Sequence, residues 1–490
     1  MVTPEDAPVN IGAMLLTPYR ASKRVLDIQT KLHSWATADR GRRFDDLYNL
    51  VADPAFMVIA WTRVRENKGA RTSGIDKRTA RAIEESAGGV EAFLEDIRAQ
   101  LKGRTFRPLP VRQRKIPKTN GKLRSLGIPT VADRVVQACL KLVLEPILEA
   151  DFSPFSHGFR PGHRAQDAVE DIRFYARKGY EWVFEADITA CFDEIDHVAL
   201  MDRLRKRVGD KKVLALVKAF LKAGLVDEDG IERHTISGTP QGGILSPLLA
   251  NLALTHLDDY FQARWVALGD QSARRRHQQR GGATYRLVRY ADDFVIMVNG
   301  TREQAESQWD EVGDVLSEIG LRLAPEKTQV VHIDEGFDFL GFRIQRHRQW
   351  GSDRWHIYSY PSKRSVANVR RKIRETTGRD TVNRSASYVF TRLNYITRGW
   401  ASYFRHGASK TTYGKLQHYL WLRIWTWIRK KHPTQGRKWI VRRYQPYQGW
   451  QPSTHGVDLY QPASMAIERY QWRGTRIPTP WTRTPRSATT

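Results

Sequence analysis

The spacing of apolar and polar positions divides the chain into elements before any motif is considered. Residues 1–41 are mixed and polar and read as an extension with some helix, whereas Phe44, Leu47, Leu50, Val51, Phe56, Ile59, Ala60 and Val64 recur at helical spacing. Two extended runs within 106–129 flank Asn120-Gly121, a strong hairpin signal. Helices are predicted over 131–150, 165–177, 197–207 and 211–223, and a strand over Trp182–Ala186 runs into an acidic turn. A Gly/Pro-rich loop, Gly238 to Leu248, opens a helix that reaches about Trp265, and Arg274 to Arg280 reads as a basic loop. The runs Leu287-Val288 and Phe294–Val298 are broken by Ala291-Asp292-Asp293, the pattern of a tight hairpin with a polar tip. Thr301 and Gln304 form a capping box for a helix ended by Gly320, and strands follow near 328–333 and 337–344. From 181 to 333 the order is therefore βαββαβ, an antiparallel sheet backed by helices, an α+β arrangement. After Pro361 the pattern turns helical, strongest over Leu416–Arg429, and beyond His432-Pro433 it predicts mostly loops.

Composition adds a partner. With 490 residues and 41% hydrophobic content the chain is globular, and no apolar run approaches the ~18 residues of a membrane span. The N-terminus shows no basic segment followed by an apolar one. Cys139 and Cys191 alone make neither a disulfide framework nor a zinc site, and fit a reducing cytosol. The net charge of +27 is concentrated: residues 361–490 hold 26 Lys+Arg against four acids, a net +22, with eight of the 15 tryptophans. Basic residues interleaved with flat aromatics suit a phosphate backbone and its bases. A solvated basic face is the plainer alternative, and the Trp421, Trp425, Trp427 stripe is better read as core than as a stacking platform.

The candidate chemistry is phosphoryl transfer. Asp292-Asp293 alone is an ordinary turn. Asp187 ends a strand that a βαββαβ sheet can set beside that hairpin, and carboxylates from different strands suit two magnesium ions ~3.5–4 Å apart. Phe192 leaves the same strand and reads as core, as a wall against the incoming sugar, or as both at once. Gln241-Gly242-Gly243 allows close backbone approach at a helix start. Lys118, Lys122 and Arg124 lie at or near the Asn120-Gly121 turn, within reach of a polyphosphate or simply solvated. The Gly-containing loop Asn67 to Asp76, with Lys68 and Arg71, is either a connector or a phosphate contact.

Taken together these stretches resemble the reverse transcriptases encoded by group II introns. Lys118–Pro129 resembles a finger motif, Glu185–His197 the motif with the first metal-binding Asp, Gly238–Asn251 the template-primer motif, and Tyr290–Asp293 the Tyr-Ala-Asp-Asp box. Leu321–Lys327 and Phe337–Phe342 resemble the two motifs that follow, Asn67–Asp76 the extra N-terminal one, and Leu393–His406 with Trp421–Pro433 the helical thumb, or maturase domain. The likeness covers about residues 42–433 and implies a right-hand polymerase: extension 1–41, fingers 42–180, palm 181–345, thumb 361–433 and a basic extension 434–490 that is a candidate DNA binder. It implies that Asp187, Asp292 and Asp293, with the backbone at Ile188, hold two Mg2+ ions. Lys118 and Arg124 would hold the triphosphate, Phe192 would exclude a 2′-hydroxyl, Gln241 and Gly242 would touch the nucleotide, and Lys327 would assist proton transfer to pyrophosphate. Asp193 and Asp196 read as structural. RNA contacts are expected at Lys68, Arg71, Arg370, Arg371, Lys372, Arg398, Arg405, Arg429, Lys430 and Lys431. The implied partners are the group II intron RNA in a ribonucleoprotein, target DNA or primer, and dNTPs, in a bacterial cytosol or nucleoid. The absence of cysteine after Cys191 departs from relatives with a His/Asn nuclease module, so no endonuclease domain is expected. An RNA-binding splicing factor with little polymerase activity, and a domesticated enzyme of defence or mutagenesis, are the competing readings.

Overall fold

The computed structural model describes residues 17–117, 123–233, 237–239, 242–349, 351–444 and 451–482. Its first element, helix Pro18–Ala38, is capped by the Thr17 side chain and buries Ala21, Val25, Gln29, Leu32 and Ala36. Its face is regular but built partly from alanine and a glutamine, which mutes the period in sequence. It is a core element, packed against helices Pro54–Glu66 and Val131–Leu148. The Gln29 amide donates to the Leu142 carbonyl at 2.7 Å, so even its buried polar group is satisfied.

Strands β1 (Val111–Pro117) and β2 (Leu123–Ile128) pair antiparallel from Arg112↔Ile128 to Pro117↔Leu123, as the hairpin signal predicts. Lys118, Lys122 and the Asn120-Gly121 turn lie outside the described residues. Strand β3 (Trp182–Ala186) is followed by the short antiparallel pair β4 (Leu225–Val226) and β5 (Glu232–Arg233), and β4 joins the free edge of β1 in parallel. Then come β6 (Thr284–Tyr290), β7 (Asp293–Asn299) and β8 (Gln329–His332). The central sheet has the order β6-β7-β3-β8 with every neighbour antiparallel, which realises the βαββαβ pattern. Phe294 to Val298 are all fully buried, because Phe294, Ile296 and Val298 enter one core and Val295 and Met297 the other. A strand covered on both faces reads as a continuous apolar run rather than an alternation.

The expected loop at 274–280 is instead part of a helix, Gln271–Gln279, capped by Asp270. None of its residues is buried, so no apolar period announces it, and the cap and polar helix formers decide. The Arg274 and Arg286 guanidiniums both lie over the Trp265 ring, 3.8 and 3.2 Å from its centroid. Strands β9 (Phe337–Phe339), β10 (Phe342–Arg348) and β11 (Trp355–Pro361) form a second antiparallel sheet.

Helices Lys363–Thr376, Ala386–Phe404 and Lys410–Lys431 enclose a core of Val369, Ile373, Phe390, Leu393, Ile424 and Trp427. Trp427 is buried, as the core reading of the stripe requires, whereas Trp421 and Trp425 are half-buried with parallel rings 5.9 Å apart. Beyond Pro433 the expected loops include a helix, Arg437–Tyr444. The tail then runs back across the molecule. The Trp472 ring stacks on Phe174 at 3.9 Å and its Nε1 donates to Asp171 at 2.6 Å. Arg473 pairs with Asp167 at 2.5 Å, and Trp481 lies against His33 with its Nε1 donating to Gln29 at 3.2 Å. These aromatic and basic side chains of the 434–490 extension are engaged with the protein itself. Since Trp481 is 5% exposed, Trp481→Ala is expected to cost about 3 kcal/mol, seen as a lower urea midpoint and early loss of the N-terminal helix. No helix among the described residues is long and apolar enough to cross a membrane.

Candidate active site

Asp187 leaves β3 one step beyond the Ala186↔Phe294 pair, and therefore faces the turn that joins β6 to β7. In that turn Tyr290 pairs with Asp293, and Ala291 adopts a left-handed φ of +58°. For a non-glycine residue this backbone costs about 1 kcal/mol and needs support from its surroundings. Gly158 packs so closely that a Cβ there would lie 2.2 Å from the Ala291 nitrogen. The turn is wedged from behind by backbone.

The carboxylates feel one another. Asp293 keeps an exposed surface toward the cleft, but the protein packed around its carboxylate pushes its pKa up to about 7, reinforced by the charges of Asp292 and then Asp187. Asp292 is also raised, first by burial and then by Asp187, against the opposing charges of Arg124 and Lys327. Lys327, in a turn before β8, donates to the Asp187 carboxylate, and this bond raises the ammonium pKa. The Ala324 amide donates to the Asp187 carbonyl at 2.8 Å, and the Ile188 amide to its Oδ1 at 3.0 Å. Crowded, partly desolvated oxygen donors are what a hard divalent cation would relieve. Among the described residues, however, no three acidic, histidine or cysteine side chains close into a finished cage. Lys327 instead sits on Asp187, so a cation binding there would compete with its ammonium.

These groups line a cleft of about 1620 Å³ bounded by Ile116 and Pro117 of β1, by Leu123 to Leu126 of β2, by β3 and the β6–β7 turn, and by Arg364 of the helix after β11. Arg124 and Gly242 lie on its wall. Gly242 has φ +109° and approaches β2 so closely that a Cβ would meet the Gly127 carbonyl at 2.5 Å, so both the conformation and the space require glycine. Gln241 falls outside the described residues. Phe192 also lines the cleft, half-buried in the single turn Cys191–Glu194, with the Phe159 ring edge-on at 6.4 Å. Asp196 caps helix His197–Arg205 through the Ala199 amide at 2.8 Å, a structural task. Asp193 is exposed in the cleft wall, and its backbone carbonyl accepts from Ser237.

Two family models match the chain. Residues 116–344 match the reverse transcriptase (RNA-dependent DNA polymerase) model and residues 366–445 the maturase-specific domain of group II introns. Protein YkfC of Escherichia coli K12 is 35% identical over 343 residues, covering 66% of this chain and 89% of that protein. The group II intron-encoded protein LtrA of Lactococcus lactis subsp. cremoris is 33% identical over 354 residues, 62% of this chain. The chain belongs to the group II intron-encoded reverse transcriptases. It spans 57% of the length of LtrA, and 41% of the mitochondrial nuclear intron maturase 1 of Arabidopsis thaliana, to which it is 28% identical. As a member of this family it is an RNA-directed DNA polymerase of the divalent-metal-dependent kind that binds RNA.

For this reverse transcriptase the expected RNA contacts divide by geometry. Lys68, Arg71, Arg370, Lys372, Arg429 and Lys430 are exposed. The loop carrying Lys68 and Arg71 is anchored by Arg134, which donates to the Gly69 and Thr72 carbonyls at 2.8 and 2.7 Å. Arg371 pairs with Glu375 at 2.7 Å, Arg405 pairs with Glu468, and Arg398 lies over the Tyr460 ring. Lys431 donates to the carbonyls of Val382 and Arg384, both at 2.9 Å, tying the end of helix Lys410–Lys431 to the loop that precedes helix Ala386–Phe404. The reading from sequence alone missed Arg289, fully buried beside the Tyr290–Asp293 turn. Its one signal was a cation inside an apolar strand.

Proposed function

We propose that this protein copies its intron RNA into DNA from a primer 3′-hydroxyl and holds the same RNA through its thumb to promote splicing. The supporting observation is the meeting of Asp187 with Asp292-Asp293 at the floor of a cleft bordered by the finger hairpin and the first thumb helix. Asp187 and Asp292, with Asp293 and the backbone at Ile188, would hold two Mg2+ ions. Bound there, magnesium would lower the pKa of the primer hydroxyl and neutralise the leaving pyrophosphate. The chain's own residues do the rest. Arg124, with Lys118, grips the dNTP triphosphate, Gly242 and Gln241 border its base and sugar, and Phe192 walls off the 2′-position. Lys327, released from Asp187, assists proton transfer to the pyrophosphate. The intron RNA, a DNA target supplying the primer, and a bacterial cytosol belong to the same reading. Primer extension with dNTPs on an RNA template tests it, and inactivity of the intact protein there would favour the splicing-factor alternative.

The raised pKa of Asp293 gives the site a pH signature. The folded metal-free protein binds this proton more tightly than the unfolded chain, whose carboxyl titrates near 4. Metal-free stability is therefore expected to rise as pH falls from about 7 toward about 4, and Mg2+ to bind more weakly below about 7 because the proton must leave. Melting midpoints across this range, with Asp293→Asn as reference, read the first effect. Parallel profiles for the two proteins would refute it.

The thumb surface has its own test. Neutralising Arg370, Arg371 and Lys372 together should weaken RNA binding and lower the slope of log K against log salt by about one for each phosphate no longer gripped. An unchanged slope would place the RNA on another face.

A further inference from the structure

Arg289 is among the largest fully buried side chains described, and it lies two residues before Ala291. Its Nε and Nη2 donate to Asp258 at 3.0 and 2.6 Å, while Nη1 donates to Asn251 Oδ1 and to the Ala291 carbonyl, both at 3.0 Å. Asp258 and Asn251 are seven residues apart and therefore on one face of helix Ser246–Ala267, the helix opened by the Gly242 loop. Asn251 also donates to the Gly158 carbonyl at 2.7 Å, and Gly158 is the residue wedged against Ala291. The Arg289 backbone is clasped as well: its amide donates to the Phe155 carbonyl at 2.9 Å and its carbonyl accepts from His157 at 2.8 Å.

We propose that Arg289 is a positioning residue. Its planar fork, neutralised by Asp258, fixes the Ala291 carbonyl and so aims the Asp292 carboxylate that follows it. A buried ion pair kept only for stability would need Arg289 and Asp258 alone, and hydrophobic replacements often serve a core equally well. The bonds beyond that pair are spent on the left-handed turn and on the glycine behind it. Asn251 and Asp258 stand on the helix that leads out of the nucleotide-facing loop, so one clamp joins both walls of the site. Lysine would retain the charge without the fork.

This inference rests on Asp292 being a metal ligand, so the experiment separates the two. Mn2+ affinity is measured by electron paramagnetic resonance titration, together with kcat and KM for primer extension, in Asp292→Ala, Arg289→Lys and the double variant Arg289→Met/Asp258→Leu. The double variant removes the ion pair as a unit and is expected to melt near the wild type. Both Arg289 variants are expected to bind Mn2+ about 10-fold more weakly and to lose about 10-fold in kcat, with KM for dNTP within threefold. Wild-type Mn2+ affinity and kcat in a folded Arg289 variant would overturn the proposal. Failure of both to fold would assign Arg289 to the core alone and overturn it equally. If Asp292→Ala keeps both properties, the metal-site reading fails, whatever the Arg289 variants do.

Discussion

Asp292→Ala is expected to abolish measurable primer extension on an RNA template, a loss of at least ~10³-fold in kcat, with the protein still folded. The magnitude follows from what the carboxylate is asked to do: a ligand that places a divalent cation on the developing charge supplies several kcal/mol of transition-state stabilisation, and each 1.36 kcal/mol is tenfold. Folding should survive, because burial and the charge of Asp187 already raise the pKa of Asp292, so the metal-free fold is relieved by its removal. Asp187→Ala should lose a similar factor, and it additionally frees the Lys327 ammonium from its partner. Asp193→Asn in the same cleft wall is the discriminating control, expected to retain activity within a few-fold. If Asp193→Asn proved as damaging as Asp292→Ala, or Asp292→Ala remained active, the assignment of the acids would be wrong.

The palm was legible because local pattern and topology agree there. The run Phe294–Val298, the tip Ala291-Asp292-Asp293 and the capping box at Thr301 each determine a piece of structure within a few residues, and the antiparallel sheet follows from their order. The support beneath the turn was not legible. Arg289, on β6, finds Asp258 31 residues upstream on a helix, and Gly158 approaches Ala291 from a loop 133 residues away. Nothing in the spacing of the chain encodes either meeting. The tail fails for the same reason: Trp472 and Arg473 contact Asp171 and Asp167 across 301 and 306 residues of sequence. Its lack of periodicity, correctly read as little regular structure, was no guide to its packing. Helix Pro18–Ala38 is the intermediate case, periodic but with alanines where larger apolar residues would have marked the face.

Phe192→Ala is expected to lower the preference for dNTPs over ribonucleotides by roughly 10–100-fold while leaving kcat/KM for dNTPs within a few-fold. The range is the 1–3 kcal/mol typical of forcing extra atoms into a packed space, converted at about 1.4 kcal/mol per factor of ten. The ring can act as a wall because its backbone is held. The Thr239 amide donates to the Phe192 carbonyl at 2.5 Å, and Gly238, at φ +81°, lies so close that a Cβ would come within 2.6 Å of the same oxygen. Phe159 supports the ring edge-on, in a T-shaped contact. Phe192→Tyr should keep most of the discrimination, since the wall remains, whereas Phe159→Ala should relax it partly by letting the Phe192 ring retreat. Single-nucleotide incorporation with matched dNTP and ribonucleotide pairs reads all three variants. An unchanged ratio in Phe192→Ala would mean that the 2′-position is sensed elsewhere and that Phe192 serves only to pack Phe159. A graded series, alanine most permissive and tyrosine least, is the outcome that a steric gate requires.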